Sequence, residues 1–155
     1  MGQWTPPSLA EESTLLRAAR SVAIVSVSPN PSRPSYEIAE YLLSAPHLDA
    51  QVGRSQARYE VYFVNPAAIE ILGRPVAASL ADLEVVPDIV NVFRKSADLM
   101  GVAYEAIAVG AKVLWLQLGL YDEAVAKVAH EAGMAVVMDR CLKVEHARLA
   151  RSALS

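Results

Sequence analysis

Hydroxyl, amide and cationic side chains gather in one short stretch: Ser26, Ser28, Asn30, Ser32, Arg33 and Ser35. They follow an apolar, β-branched run, Val22 to Val27, which has the character of a buried strand. Ser35 stands where a helix N-cap is expected. Glu37 follows in the first turn, and Ile38, Tyr41, Leu42 and Ala45 share one face. A strand, a polar loop and a helix start make an anion site, because the helix end offers free N–H groups and a partial positive charge. Arg33 adds a fixed cation that can hold phosphate oxygens in a bidentate fork. The first expectation is therefore a phosphate-bearing ligand at this loop. The competing expectation is an ordinary strand–helix connection with a solvated Arg33.

The elements that must position this loop are legible along the chain. Ser8 and Glu11 have capping-box spacing ahead of a leading helix with Leu15, Leu16 and Ala19 on its apolar face, ending near Arg20. After the helix that begins at Ser35, residues 46–58 lack a period and are expected to form an exposed, mobile loop. Tyr59 to Val64 is the second strand, Ala67 to Leu72 a short helix stopped by Gly73-Arg74-Pro75, and Asp88 to Phe93 the third strand. Ser96 is expected to cap a helix ended by Gly110. Lys112 to Leu118 is the fourth strand, Asp122 caps the next helix, Met134 to Met138 is the fifth strand, and a last helix begins near Leu142.

Apolar strands alternating with helices predict an α/β fold: a Rossmann-like doubly wound parallel sheet of about five strands, order 3-2-1-4-5, with helices on both faces. Residues 1–155 are expected to form one domain, with a leading helix over 1–20 and the core over 21–148. In such a sheet the ligand lies beyond the carboxyl ends of the strands. That singles out Ser26 to Ser35, Asn65-Pro66, Phe93-Arg94, Gln117 to Gly119, and Asp139-Arg140-Cys141.

Composition narrows the partners. A formal net charge of −3 without a basic stripe argues against a nucleic-acid surface. No apolar run is long enough to span a bilayer, and Met1 to Leu9 lacks the basic end and apolar core of a signal peptide, so a cytoplasmic location is expected by elimination. Cys141 is the single cysteine, and His47, His130 and His146 lack metal-ligand spacing. A nicotinamide cofactor fits poorly. No glycine lies between Gly2 and Gly53, so G-x-G-x-x-G is absent, and the second strand ends in Asn65 rather than an acid. A P-loop is absent too.

Five segments together resemble a known family. Ser28 to Tyr36, Val64-Asn65-Pro66, Val92-Phe93-Arg94, Trp115 to Gly119 and Met138 to Cys141 are similar to the motifs of the small prokaryotic CoA-binding proteins. Those proteins are Rossmann-like and resemble the CoA-binding domain of succinyl-CoA synthetase α subunits. The resemblance covers about residues 20–148 and implies coenzyme A, or an acyl-CoA, as the ligand. It implies that Ser26, Val27, Ser28, Ser32, Arg33, Pro34 and Ser35 hold the phosphates. It further implies that Asn65, Pro66, Phe93 and Arg94 flank the nucleotide, and that Trp115, Gln117 and Gly119 close the pocket. The family usually has glycine where Ser26 stands.

Some of these residues have a plainer expectation. Trp115 suits a core, and Gln117 either meets the ligand and first loop or bonds neighbouring backbone, since a buried amide needs partners. Cys141 and His146 could form a nucleophile and base, but a buried structural thiol is the simpler expectation. The function expected is CoA binding without catalysis of its own; the alternatives are a small NAD(P)-linked oxidoreductase or a CoA-transferring enzyme using Cys141. The expected partner is a small molecule, with neither nucleic acid nor membrane; homo-oligomerisation stays open.

Overall fold

The computed structural model of the chain describes residues 3–48 and 58–154. The elements in order are α1 (Leu9–Ala18), β1 (Ser21–Val25), α2 (Pro34–Ser44), β2 (Glu60–Val64), β3 (Glu70–Ile71), β4 (Arg74–Ala77), β5 (Ile89–Val92), α3 (Leu99–Val109), β6 (Val113–Leu116), α4 (Glu123–Glu131), β7 (Ala135–Val137) and α5 (Leu142–Leu154). The strands form one 7-stranded sheet in the order β3-β4-β2-β1-β5-β6-β7. Every pair is parallel except β3–β4. The Rossmann-like α/β class holds.

Period-two alternation sorts the strand residues into two layers. Val22, Ile24, Phe63, Ile89, Val113 and Trp115 pack with Leu16 of α1, Ile38 and Leu42 of α2, and Leu142 of α5. Ala23, Val25, Val90, Val92, Leu114 and Leu116 pack on the other side with Leu99 and Ala103 of α3 and Val125 and Ala129 of α4. Helices therefore cover both faces. β1 is buried along its whole length and paired on both edges. Each fully buried aliphatic side chain there contributes about 1.5–3 kcal/mol of transfer free energy.

The expected strand order needs correction. The third expected strand, now β5, pairs with β1 on the side away from β2, with Val90 beside Ala23. The outer place beside β2 belongs to β4, through Phe63↔Val76 and Val64↔Ala77. From sequence this region is expected to be a short helix, Ala67 to Leu72, with Gly73 and Pro75 as its stop. Gly73 instead turns a tight ribbon at φ 72°, and Pro75 lies opposite Glu70 in the two-residue pairing with β3. Proline is tolerated at such a sheet margin, where little of the ladder needs its missing N–H.

Several local expectations hold. Ser8 and Glu11 form the capping box, the Asp122 carboxylate accepts from Ala124 N and Val125 N, and Gly110 ends α3 at φ 86°. Ser96 opens a 3₁₀ turn, Ser96–Asp98, and α3 starts only at Leu99 with Asp98 at its N-cap position. Asp88 ties the amino ends of β1 and β5 together: its Oδ2 accepts from Arg20 N at 2.7 Å, and its own N–H donates to Ser21 Oγ at 2.9 Å. For the expected loop over 46–58, residues 49–57 lie outside the described residues. The expectation of exposure holds at its end residues, Pro46 and Arg58, which bridge each other, and fails at His47 and Leu48, which are buried. The apolar contacts of Leu48, and a 2.6 Å contact between His47 Nε2 and the Ala19 carbonyl oxygen, outweigh exposure there.

His146, on α5, is enclosed against α2. Its Nε2 lies 2.9 Å from the Pro46 carbonyl oxygen, which can only accept, so that nitrogen carries the proton. Nδ1 is then the acceptor for the Tyr41 hydroxyl at 2.7 Å. Burial pushes the imidazole below its ordinary 6.5, against the Pro46 hydrogen bond, which raises it. A neutral ring is thus favoured by folding. Its contribution is present above about pH 6.5 and is lost as pH falls through the lower folded value. Chemical denaturation of wild type and His146→Leu at about pH 7.5 and pH 5.5 should show a smaller loss on acidification in the variant. Equal losses in the two proteins would show that His146 stays uncoupled from acid stability.

Candidate functional site

β1 is followed in sequence by β2 on one side and flanked by β5, reached later, on the other. The loops after β1 and β5 therefore diverge, and a crevice opens at their carboxyl ends. This is the switch point of the sheet.

The first loop begins with a forced turn. Ser26 has φ 68°, in the left-handed region, while its N–H donates to Val64 O at 2.7 Å. Beyond it the loop is tied by its own short polar side chains. Ser28 N donates to Ser35 Oγ at 2.9 Å, and Asn30 N donates to Ser28 Oγ at 3.1 Å. Asn30 Oδ1 accepts from Ser32 N at 3.0 Å and from the Ser32 hydroxyl at 2.8 Å. Such Asx-type bonds replace the missing ladder.

Ser35 is not the N-cap. Arg33 occupies that position, Pro34 is the first helical residue, and Ser35 is buried in the first turn with its hydroxyl turned back to the loop. Proline dictates this: its fixed φ and missing N–H suit the first helical position. No side chain caps α2, so its amino end stays open, with the exposed Arg33 beside it. Among the described residues the Arg33 guanidinium makes no hydrogen bond.

The second and third loops lean on the first. Asn65 Nδ2 donates to Val27 O at 2.7 Å, and Asn65 Oδ1 accepts from Ala67 N at 2.8 Å. Both ends of that amide are thereby engaged in holding loops, and Pro66 beside it is exposed. Val27 has a fully buried side chain, so it presents only backbone. Phe93 N donates to Val25 O at 3.1 Å and its ring is half-buried. Arg94 is half-buried as well. Its Nε is sealed from water and has no hydrogen-bond partner among the described residues. A buried cationic donor without an acceptor is costly.

The expected closing turn divides into support and rim. Trp115 is fully buried, and its Nε1 donates to Arg140 O at 2.9 Å, so it braces the site from behind instead of lining it. Gln117 is buried; its Oε1 accepts from Leu142 N at 3.1 Å and from Asn91 Nδ2 at 3.0 Å. The amide thus anchors the start of α5. Gly119 lies on the rim at φ 89°, and its N–H donates to Asp139 Oδ1 at 2.7 Å. The first turns of α5 and α2 are joined by Lys143 Nζ to Glu37 Oε1 at 2.7 Å.

Sequence reasoning missed Asn91. Asn91 had a signal: it is the one polar residue in the buried run Ile89–Val92. The Cys141–His146 pairing lacks structural support, since both ring nitrogens of His146 are engaged elsewhere. Among the described residues no cluster of His, Cys, Asp or Glu could hold a metal, and no helix is long and apolar enough to cross a membrane.

The left-handed Ser26 carries a local penalty of about 1–2 kcal/mol that glycine avoids. Ser26→Gly is therefore expected to raise the denaturation midpoint, by an increment of about 1 kcal/mol once the greater entropy of unfolded glycine is offset. A lower midpoint would show that the Ser26 hydroxyl contributes more than the strain removes.

A doubly wound parallel sheet with polar loops at the carboxyl ends of its central strands has the layout of a nucleotide-binding class of protein. Residues 20–147 match the CoA binding domain family, and the chain belongs to it. It is 37% identical over 141 residues to the protein YneT of Bacillus subtilis (strain 168), covering 91% of this chain and 96% of that one. A solved structure of a hypothetical protein from Pyrococcus horikoshii OT3 superposes with a TM-score of 0.81 at 33% identity, covering 96% of this chain and 99% of that one. The cell-free ID.343 protein of Thermus thermophilus gives 0.78 at 36% identity, with 92% and 99% covered. The fold also matches part of the dinucleotide-forming acetyl-coenzyme A synthetase 1 of Ca. Korarchaeum cryptofilum. There the TM-score is 0.62 at 22% identity, over 80% of this chain and 26% of that one.

Proposed function

We propose that this protein binds coenzyme A, free or acylated, through the β1–loop–α2 unit, and that it acts as a binding or carrier protein without catalysis of its own. Family membership supports the ligand class. The observation that carries the finer reading is the pair of cationic groups on the two loops that diverge at the switch point. Arg33 is exposed beside an uncapped helix end, and Arg94 holds a buried Nε without an acceptor. Anionic oxygens in the crevice give both groups what they lack. Coenzyme A carries such oxygens in its diphosphate bridge and ribose phosphate.

In this reading Ser28, Ser32 and Ser35 shape the loop so that its backbone N–H groups and the end of α2 face the diphosphate. Asn65 and Pro66 set one wall beside the nucleotide, and Phe93 offers a half-buried ring at the other. Gly119, on the rim, bounds the far end. The occupied nitrogens of His146 leave Cys141 without a base, which supports binding over acyl transfer.

Arg33→Ala should weaken CoA binding about tenfold or more, in line with roughly 1.5–3 kcal/mol for a charge-assisted hydrogen bond. Ligand-free stability should hardly change, because the side chain is exposed. Arg33→Lys should recover only part, since an ammonium cannot form the fork. Calorimetric titration of wild type and both variants at one salt concentration measures this, with NAD and NADP as controls. Unchanged affinity in Arg33→Ala would place the phosphates elsewhere. Tighter binding of NAD than of CoA would reverse the ligand assignment.

A further inference from the structure

Helix α1 lies ahead of the matched family span, which begins at residue 20, yet it sends a carboxylate into the protein next to the site's rim. Glu12 is fully buried. Its Oε1 accepts from Arg140 Nη1 at 2.8 Å, and the same Nη1 donates to Pro7 O at 3.1 Å. Arg140 belongs to the turn between β7 and α5, the turn in which Asp139 holds Gly119 N and the Arg140 carbonyl receives the Trp115 indole. A single guanidinium therefore connects α1 and the leading segment to the rim.

The other oxygen of Glu12 is poorly served. Oε2 is sealed from water without a hydrogen-bond partner among the described residues. Arg148 of α5 approaches it only to 3.9 Å, because Arg148 Nη2 is committed to Glu145 Oε1 at 2.6 Å. The charged groups facing Glu12 are thus Arg140 from the turn and Glu145 and Arg148 from α5. Glu11, its neighbour on α1, is turned to solvent and engaged in capping Ser8. Three residues that face Glu12, Arg140, Glu145 and Arg148, also line an open surface pocket of about 400 Å³ together with Pro7 and Leu9.

We propose that Glu12 and Arg140 form a pH-sensitive clasp through which docking of α1 sets the position of the 139–141 turn at the rim of the ligand crevice. Protonation removes the buried charge of Glu12 and leaves Oε1 as the acceptor for Arg140, whereas ionisation leaves a buried oxygen bearing charge and no full partner. The group's chemistry agrees. Burial, opposed by Arg140 and reinforced by Glu145, pushes the Glu12 carboxyl up from 4.5 to about 7. A carboxyl raised in the docked state favours docking at low pH, and that advantage is lost as pH rises through the docked value.

Hydrogen–deuterium exchange of the full chain without ligand tests this. Going from about pH 6 to about pH 8, with intrinsic rates corrected, protection of α1 and of the 139–141 turn should fall together by about tenfold, as expected for one proton coupled to docking. Glu12→Gln should remove the pH dependence at both places while the strands stay protected. Glu145→Gln leaves Glu12 in place but removes the carboxylate that raises it, so the transition should move to lower pH. Protection in wild type that is flat across this range, or α1 loosening while the 139–141 turn does not, would overturn the clasp. So would an unaltered pH dependence in Glu12→Gln.

Discussion

The central strand β1 has a paired neighbour on each edge and an apolar layer on each face, so it can offer polar groups only beyond its carboxyl end. Everything chemically interesting in the molecule follows from that constraint. The chain must leave the ladder at Ser26, and it does so by a left-handed residue. From there short polar side chains hold the loop until α2 begins at Pro34. The neighbouring strands end at the same level, and their loops attach to this first one. Asn65 reaches the Val27 carbonyl, and Phe93 pairs with Val25.

A second tier of polar groups lies beneath the rim and fixes helix starts instead of meeting solvent. Gln117, itself held by Asn91, holds the first residue of α5, and Trp115 holds Arg140. The Gln117 amide is tolerated there because hydrogen bonds replace the water its oxygen loses, whereas Asn91 Oδ1 is buried without a partner among the described residues. Gln117 and Trp115 thereby fix where α5 begins, and the Lys143–Glu37 pair joins α5 to α2 at the surface. The amino ends of the central strands are secured differently, by Asp88 against Arg20 and Ser21. The sheet is thus stapled at the end away from the crevice and furnished with loops at the other.

Membership in the CoA binding domain family and the layout of the crevice bear on different questions. The family concerns ligand class, whereas the layout concerns which groups are available. Asn65 and Gln117 are spent on the protein itself, and Trp115 is sealed in the core. Arg33 and Arg94 retain uncommitted guanidinium donors. The groups these loops leave available are therefore charge and backbone, which suit a diphosphate more than a purely apolar group.

The sequence by itself determined the α/β class, the β1–loop–α2 unit and most helix ends. Those features depend on local alternation, on Gly110, and on capping by Ser8 and Asp122, all of which act within a few residues. Tertiary structure alone decided the rest. The place of β4 beside β2 depends on a two-residue pairing that local propensity, with Gly73 and Pro75 nearby, argues against. The N-cap is Arg33 and not Ser35 because Pro34 takes the first helical position and the Ser35 hydroxyl accepts from Ser28 N, seven residues back across the loop. Trp115 and Gln117 lie within one run, and only the packing of α5 over them shows that both support the site from below. Nothing local sets Glu12 apart, and its burial against Arg140 spans a separation of 128 residues that no local pattern could encode.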